Sequence, residues 1–550
     1  MLKMTGDFET TTDPNDVRIW SFGLVNIDTF EVMKLGTSID EMIEYLSNKN
    51  SQVYFHNLKF DGEFIIPWLF NNGYTYSETK ESKTFHTIIS DTGQFYGIEI
   101  IFKKMKRKYK KVMIFDSLKK LPFTVDAIGK MMGHNILKMD IDYDKPRPLG
   151  YEPTPHEWNY LVTDCMIVAK ALASQFEMGL TRMTIGADAM AGVIAKIGGK
   201  DRFRQIFPAL DLETDKEIRY SYKGGFVWLN PKYKGTRQPC VTFDINSQYP
   251  DKMRNELMPY GYPMYYEGEY VEDDFFPLYI QHLRCEFKLK KDHIPTIQLK
   301  GNNSFVQTEY LKDSGGEIVE LHLTSVDLKL FLDHYEVYCL EYIDGYMFKA
   351  CKGLFDEYID YWMSVKENST GSTRLHAKLM INNPYGKFAT NPKMVSKIPY
   401  LKEGILRYYE DEPEYKEPIY TAVASFITSY GREQTIRTLQ NDYERAIYGD
   451  TDSASFAGTD MPDIDIHPTK LGYWDHEGTY EDSKFLRAKT YMKTLDGEIE
   501  IKCAGMPMNV KKTVQGYDDF EIGSEYFGKL KPKKYNGGVI LEAGPYKIRK

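Results

Sequence analysis

Tyr448-Gly449-Asp450-Thr451-Asp452-Ser453 sets two carboxylates one residue apart. The apolar run Ala446-Ile447-Tyr448 precedes them and Ala454-Ser455-Phe456 follows, and both read as short strands with turn chemistry at Gly449-Asp450. The six residues therefore read as the tip of a β-hairpin that presents carboxylates. Acids crowded this way repel each other unless a cation lies between them, and hard oxygen ligands suit magnesium or manganese. A solvated acidic turn would be spelled the same way, so the rest of the chain has to decide.

At 550 residues the chain is too long for a single core, so several domains are expected. Its 42% hydrophobic and 27% charged residues are ordinary for a globular protein. The net charge of -9 does not suggest a nucleic-acid binder, but a local basic groove is enough for a large enzyme. Basic runs occur at Lys103 to Lys111, Lys511-Lys512 and Lys529 to Lys534, each of which alone reads as a solvated face. The six cysteines are scattered without a C-x-x-C pair, which argues against a zinc site or disulfide framework and fits a reducing compartment. An acidic strand motif within seven residues of the start leaves no room for a signal peptide. The apolar run Phe64 to Phe70 is interrupted by Pro67 and is too short to span a membrane.

From the start, Gly6-Asp7-Phe8-Glu9 puts both acids on one face of a strand. Ile19 to Ile27 and Gln52 to Phe55 are further strand candidates, and Asp61 opens an apolar helical stretch through Leu69. His156 to Phe176 reads as an amphipathic helix with Tyr160 and Asp164 on one face. Singly, Asp7, Glu9, Asp61 and Asp164 are unremarkable acids. Together they could hold two metal ions that activate a water and stabilise a leaving oxygen in phosphodiester hydrolysis. Tyr160 could orient that water, and Lys138 could neutralise charge developing on the phosphate.

Asp7-x-Glu9-Thr10, then His56-Asn57-Leu58-Lys59-Phe60-Asp61-Gly62, then Tyr160-x-x-x-Asp164 resemble the three exonuclease motifs of proofreading DNA polymerases. The second spelling resembles the protein-primed, phi29-like branch of family B. That resemblance implies a ribonuclease-H-like domain with 3′→5′ exonuclease activity. It also implies that His56, Asn57, Phe60, Ser117 and Leu118 hold an unpaired primer end, although core packing explains Phe60 and Leu118 equally well.

The second half carries matching signals. Tyr222-Lys223-Gly224-Gly225 precedes an aromatic strand, and its two glycines permit close approach of a ligand to the backbone. In the family such a Tyr-x-Gly-Gly motif contacts template DNA. Asp244-Ile245-Asn246-Ser247-Gln248-Tyr249-Pro250 resembles the family's D-x-x-S-L-Y-P motif, with Gln248 where leucine is usual. The resemblance makes Asp244 the metal partner of Asp452, adds the Ile245 carbonyl as a ligand, and sets Tyr249 against a ribose 2′-hydroxyl. Arg374 to Asn382 reads as a helix with Lys378, Asn382 and Tyr385 at i, i+4 and i+7, a face that suits a triphosphate and a base. It resembles the fingers motif, and Lys366 matches an upstream phosphate-binding lysine. Asn383-Pro384 departs from the motif and is expected to end or kink the helix. Lys489-Thr490-Tyr491, read as following a basic helix end, resembles the K-x-Y motif that contacts the primer strand.

The expected architecture is α+β and multidomain: a ribonuclease-H-like exonuclease domain plus a right-hand polymerase with two family-specific insertions. The expected boundaries are 1–185 exonuclease, 186–255 palm, 256–353 first insertion, 354–389 fingers, 390–420 second insertion, 421–515 palm and 516–550 thumb. Residues 309–317 have a turn-rich centre and lie in the first insertion, where the family binds a terminal protein. Residues 392–418 read as a charged loop, and the tail around Asn536-Gly537-Gly538 reads as a basic hairpin that grips duplex phosphates. The reading is a DNA-templated DNA polymerase with a proofreading exonuclease and two Mg2+ ions per active site, Mn2+ being able to substitute. Its partners would be template and primer DNA, dNTPs and a terminal protein. It would work without a membrane, as a monomer or a heterodimer with that protein, in the cytoplasm of an infected bacterium. The alternative is a single-strand-directed exonuclease, or a DNA-binding replication protein, with an inactive polymerase domain. Eroded carboxylates would favour it, but Asp244 and Asp452 are both present.

Overall fold

A computed structural model describes residues 1–106, 108–133, 139–143, 145–299 and 310–549. Lys138 and Glu309 lie outside the described residues. The amino-terminal body is built on an eight-stranded sheet. Its central strand Leu2–Thr10 runs antiparallel to Ile19–Asn26 and parallel to Ser51–Phe55, which in turn is parallel to Lys108–Asp116. The long helix Pro155–Glu177 starts at a capping box between Thr154 and Glu157 and packs across Leu2–Thr10 and Ile19–Asn26. Gly23 makes room for it, because a Cβ there would sit 3.3 Å from Leu161 Cγ.

Helix Leu58–Asn71 begins three residues before Asp61, earlier than the apolar pattern suggests. Asn57 takes a left-handed conformation (φ 73°), so the chain turns directly from strand into helix. Pro67 lies inside this helix.

The second body centres on a seven-stranded sheet ordered Glu498–Cys503, Thr490–Leu495, Trp474–Arg487, Arg237–Ile245, Ser453–Ala457, Ala446–Asp450 and Val227–Leu229. Helix Thr421–Asn441 lies beneath its hairpin and is buried along most of its length. Residues between 256 and 353 contribute a separate four-stranded sheet. Helix Gly371–Asn382 ends where the sequence expects it, and Pro384 opens a second short helix, Pro384–Phe388.

Two expectations need correction. Residues 392–418 are not simply a loop, because Lys397–Lys402 pairs with Ile405–Glu410 around Glu403 and Gly404 (φ 55° and 74°). This hairpin buries Leu406 in the amino-terminal core. Lys489-Thr490-Tyr491 does not follow a helix either, since Lys489 (φ 56°) sits in the tight turn after strand Trp474–Arg487. Alternating side chains and a positive-φ turn are a strand signature that charge density obscures. The basic tail does form a hairpin, Glu525–Tyr535 with Gly538–Lys547. Its tip reaches the amino-terminal body, where Lys534 Nζ meets Glu63 Oε1 at 2.8 Å and Tyr408 Oη donates to the same oxygen at 3.1 Å.

Candidate active sites

The hairpin at 448–453 forms as its spelling predicts. Asp450 pairs with Ser453, leaving Thr451 and Asp452 as the loop, with Thr451 at φ 61°. Strand Arg237–Ile245 lies beside it, with Asp244 opposite Ser453, so Asp244 and Asp452 reach the same edge of the sheet. The tip is pinned by its backbone. Thr451 N–H donates to Phe226 O at 2.6 Å, and Ile245 N–H donates to Asp452 O at 2.7 Å. Thr451 O accepts from Thr435 Oγ1 at 2.7 Å and Gln248 Nε2 at 3.1 Å.

A cavity of about 340 Å3 beside the tip is lined by Asp244, Ile245, Tyr249, Lys366, Lys378, Asn382, Tyr385 and Asp452, among others. All the residues expected to bind nucleotide therefore converge. The rings of Tyr249 and Tyr385 lie 4.3 Å apart and form one wall. Lys366 Nζ lies 3.2 Å from Ser247 Oγ, and burial, followed by Arg374 and Lys378, lowers its pKa. Burial, then Asp452 and Glu477, pushes the Asp244 carboxyl up to about 8, with Lys378 opposing.

A second cavity, of about 540 Å3, shares Asp244 and Asp452 and extends past Asp450, Glu477, Lys489, Tyr491 and Lys493. Here the two acids of the turn separate. Lys489 Nζ contacts both oxygens of Asp450 at 2.9 and 3.1 Å, and Tyr448 Oη donates to Asp450 Oδ2 at 3.1 Å. Asp450 is thus engaged by a lysine while Asp452 faces Asp244. Glu477 is a third acid at this edge that sequence reading missed. It lies on the strand next to Asp244, and no short motif surrounds it.

The two glycines of the Tyr222 loop serve different ends. A Cβ on Gly225 would collide with the Thr451 side chain, whereas nothing lies within 4 Å of the corresponding point on Gly224. The close approach at Gly225 is to Thr451 in the 448–453 hairpin. Arg432, also missed from sequence, is buried. It pairs with Asp327 Oδ2 at 2.6 Å and donates to the Lys223 and Gly224 carbonyls at 2.9 and 2.7 Å, which holds the loop in place. Tyr222 is half-buried and packs into the same core cluster as Tyr249 and Tyr385.

In the amino-terminal body Asp7, Glu9, Asp61 and Asp164 also converge. Burial, then Asp7, Asp116 and Glu9, raises the Asp61 carboxyl. Burial, then Asp7, Asp164, Glu9 and Asp61, raises the thiol of buried Cys165. Tyr160 Oη lies 2.7 Å from Tyr143 Oη, and burial, then Asp164 and Glu9, raises its pKa strongly. Asp116 is an acid the motif search passed over. Its Oδ1 accepts from the Asn57 and Leu118 N–H groups, each at 3.0 Å, and so fixes two segments beside the cluster.

His56 and Ser117 are tied together, Nδ1 to Oγ at 3.0 Å, and His56 Nε2 lies 2.7 Å from Phe123 O. Ser117 is fully buried, so it supports the His56 ring from below. Asn57 is exposed, and Phe60 and Leu118 are half-buried, leaving these three with faces toward solvent.

In each cluster burial and neighbouring acids raise a carboxyl's pKa, Asp244 in one and Asp61 in the other, and carboxylate oxygens are the donors that hard divalent cations prefer. Among the described residues no group of three or more His, Cys, Asp or Glu side chains closes into a ready ligand cage. No helix among them is long and apolar enough to cross a membrane.

Comparison with known proteins matches residues 43–471 to the family described as DNA polymerase type B, organellar and viral. The chain is 46% identical to the DNA polymerase of Bacillus phage phi29, over 99% of this chain and 98% of that one. It is 32% identical to the DNA polymerase of Streptococcus phage Cp-1, again over 99% and 98%. Among solved structures, phi29 DNA polymerase complexed with primer-template DNA and incoming nucleotides superimposes with a TM-score of 0.95 at 44% identity, covering 100% of both chains. The complex with single-stranded DNA gives the same values.

Proposed function

From the chain's membership of the organellar and viral type B DNA polymerases, we propose that its two carboxylate clusters divide synthesis from proofreading. DNA-directed DNA polymerase activity, and a multidomain fold with an exonuclease domain and palm, fingers and thumb, come with that membership. The observation that carries the finer reading is the convergence of Asp244, Asp452, Tyr249, Tyr385, Lys366, Lys378 and Asn382 on one cavity.

Two Mg2+ ions per site, or Mn2+ in their place, would be held by Asp244, the Ile245 carbonyl and Asp452 in one cluster and by Asp7, Glu9, Asp61 and Asp164 in the other, where they would acidify the attacking hydroxyl or water and neutralise the phosphate. The incoming triphosphate lies against Lys366 and Lys378, with Asn382 beside it. Two cations at this point offset charge that would otherwise repel the carboxylates. Tyr385 packs against the base and Tyr249 beneath the sugar, where a 2′-hydroxyl would collide with its ring. The primer strand runs over Lys489 and Tyr491, and Lys489 also restrains Asp450 away from the reacting centre. Arg432 and Gly225 hold the Tyr222 loop for the template.

In the editing cluster Tyr160 orients the attacking water, and Asn57, Phe60 and Leu118 hold the frayed 3′ end. Residues 256–353 and 390–420 are the two insertions, the first meeting a terminal protein whose hydroxyl replaces the primer end at initiation. The phage origin of these two relatives supports a reaction carried out in the cytoplasm of an infected bacterial cell. The test is labelled-dNTP incorporation on a primed template with Mg2+, with and without terminal protein, alongside degradation of a 3′-labelled single strand. Chelation should stop both reactions. Incorporation that survives chelation would sink the metal assignment.

A further inference from the structure

Gln248 stands where the family motif has leucine, at the first residue of helix Gln248–Asn255. It follows Ser247, held at φ 51°, and precedes Tyr249. Its side chain is buried. The amide nitrogen lies 3.1 Å from Gly431 O, 3.0 Å from Thr435 Oγ1 and 3.1 Å from Thr451 O. One amide therefore touches the long helix Thr421–Asn441 twice and the peptide between Asp450 and Asp452 once. The orientation follows from these partners, because the flipped amide would aim its oxygen at two carbonyl oxygens.

Helix and amide meet closely. A Cβ on Gly431 would sit 2.9 Å from Gln248 Oε1 and 3.0 Å from Tyr249 Cε1. Among the described residues Gln248 Oε1 has no hydrogen-bond partner. A buried amide with an unsatisfied oxygen is costly, and an apolar side chain of similar size would fill the space without that cost. Packing alone does not account for the amide; its two N–H groups, shared among the three oxygens, do.

We propose that Gln248 is a positioning residue for nucleotidyl transfer. It locks the Thr451 peptide, and with it Asp452, against the segment that carries Asp244, and it registers Tyr249 to the same point. Carboxylate placement and sugar selection are then coupled through one side chain. Thr435 shares the Thr451 carbonyl, so the two donors act as a unit.

The proposal rests on the polymerase reading. Wild type and Asp452→Ala therefore run beside the test, and an inactive wild type or an active Asp452→Ala overturns that reading rather than this one. In single-nucleotide incorporation, Gln248→Leu should lower kcat roughly tenfold, about the effect of one lost positioning contact, with KM for dNTP changed by no more than about threefold. Discrimination against ribonucleotides should fall several-fold in parallel. Gln248→Met, an unbranched apolar chain of similar length, should show the same loss because it too lacks the amide donor, whereas a loss confined to the leucine variant would assign the effect to packing and overturn the proposal. Adding Thr435→Val should cost less than the sum of the single changes. Both Gln248 variants retaining kcat and sugar discrimination within about twofold at an unchanged melting temperature would overturn the proposal. So would losses that merely follow a fall in melting temperature.

Discussion

The two carboxylate clusters use the same residue types, but the chain builds them differently. The cluster proposed for editing draws Asp7 and Glu9 from one strand, Asp61 from the first turn of a helix and Asp164 from a second helix laid across the sheet. Asp61, Glu9 and Asp164 are all buried. The cluster proposed for synthesis takes Asp244 from a strand end and Asp452 from a two-residue turn, both half-buried in a cleft with lysines on its walls. The first is fixed by burial between rigid elements. The second is fixed by hydrogen bonds to the backbone of a turn, which leaves an open cleft beside Asp244 and Asp452. The price of that openness is dependence on a few small contacts at the tip.

The largest effects should separate the clusters. Asp452→Ala should cut incorporation on the order of a thousandfold or more while single-strand degradation persists, and Asp7→Ala with Glu9→Ala should do the reverse. Parallel loss of both activities in either variant would break the division. Next, Gly225→Ala drives a methyl group into Thr451 and should reduce incorporation by roughly ten- to a hundredfold, with editing preserved. Gly224→Ala meets nothing in the folded protein and should leave the melting temperature unchanged, which sharpens the contrast between adjacent glycines. Lys489→Ala frees Asp450 and removes a primer contact. Measured as KM for primed template against KM for dNTP, it should weaken only the first, by several-fold.

The smallest effect tests the burial side of the comparison. The Glu157 carboxyl is held down to about 2: burial opposes this, but Tyr151, the Thr154 N–H and hydroxyl, and Arg147 together outweigh it. A lowered pKa stabilises the fold above the ordinary range near 4.5, and that contribution is lost as pH falls from there toward 2. Glu157→Gln should remove about 1–3 kcal/mol near neutral pH and flatten acid unfolding of the amino-terminal body across that window. An unchanged acid midpoint, followed by near-UV circular dichroism, would show that the helix bearing Tyr160 and Asp164 does not depend on its cap.

Much of both sites is legible in sequence, because metal chemistry demands particular residue types at short spacings. Asp-x-Glu on a strand, Tyr-x-x-x-Asp on a helix and Asp-x-Asp in a turn are each set by local geometry. Glu477, Asp116, Arg432 and Gln248 are not. Glu477 reaches the cleft through strand pairing, Asp116 caps segments 59 and 2 residues away, and Arg432 meets Asp327 across 105 residues. The strand pair within 392–418 was hidden by charge and proline, and its apolar contact, Leu406, gains meaning only against the amino-terminal core.

By itself the sequence determined the strands and helices that carry the acidic motifs, the order of those motifs and which acids are candidates for metal chemistry, since these follow from periodicity, turn residues and ligand preference. Only the tertiary structure decided which acid of Asp450-Thr451-Asp452 faces Asp244 and which is taken by Lys489. It also decided that Gly225 makes room for the Thr451 side chain, and that Gln248 reaches the turn. Each of these depends on distance between segments far apart in the chain, which no local pattern encodes.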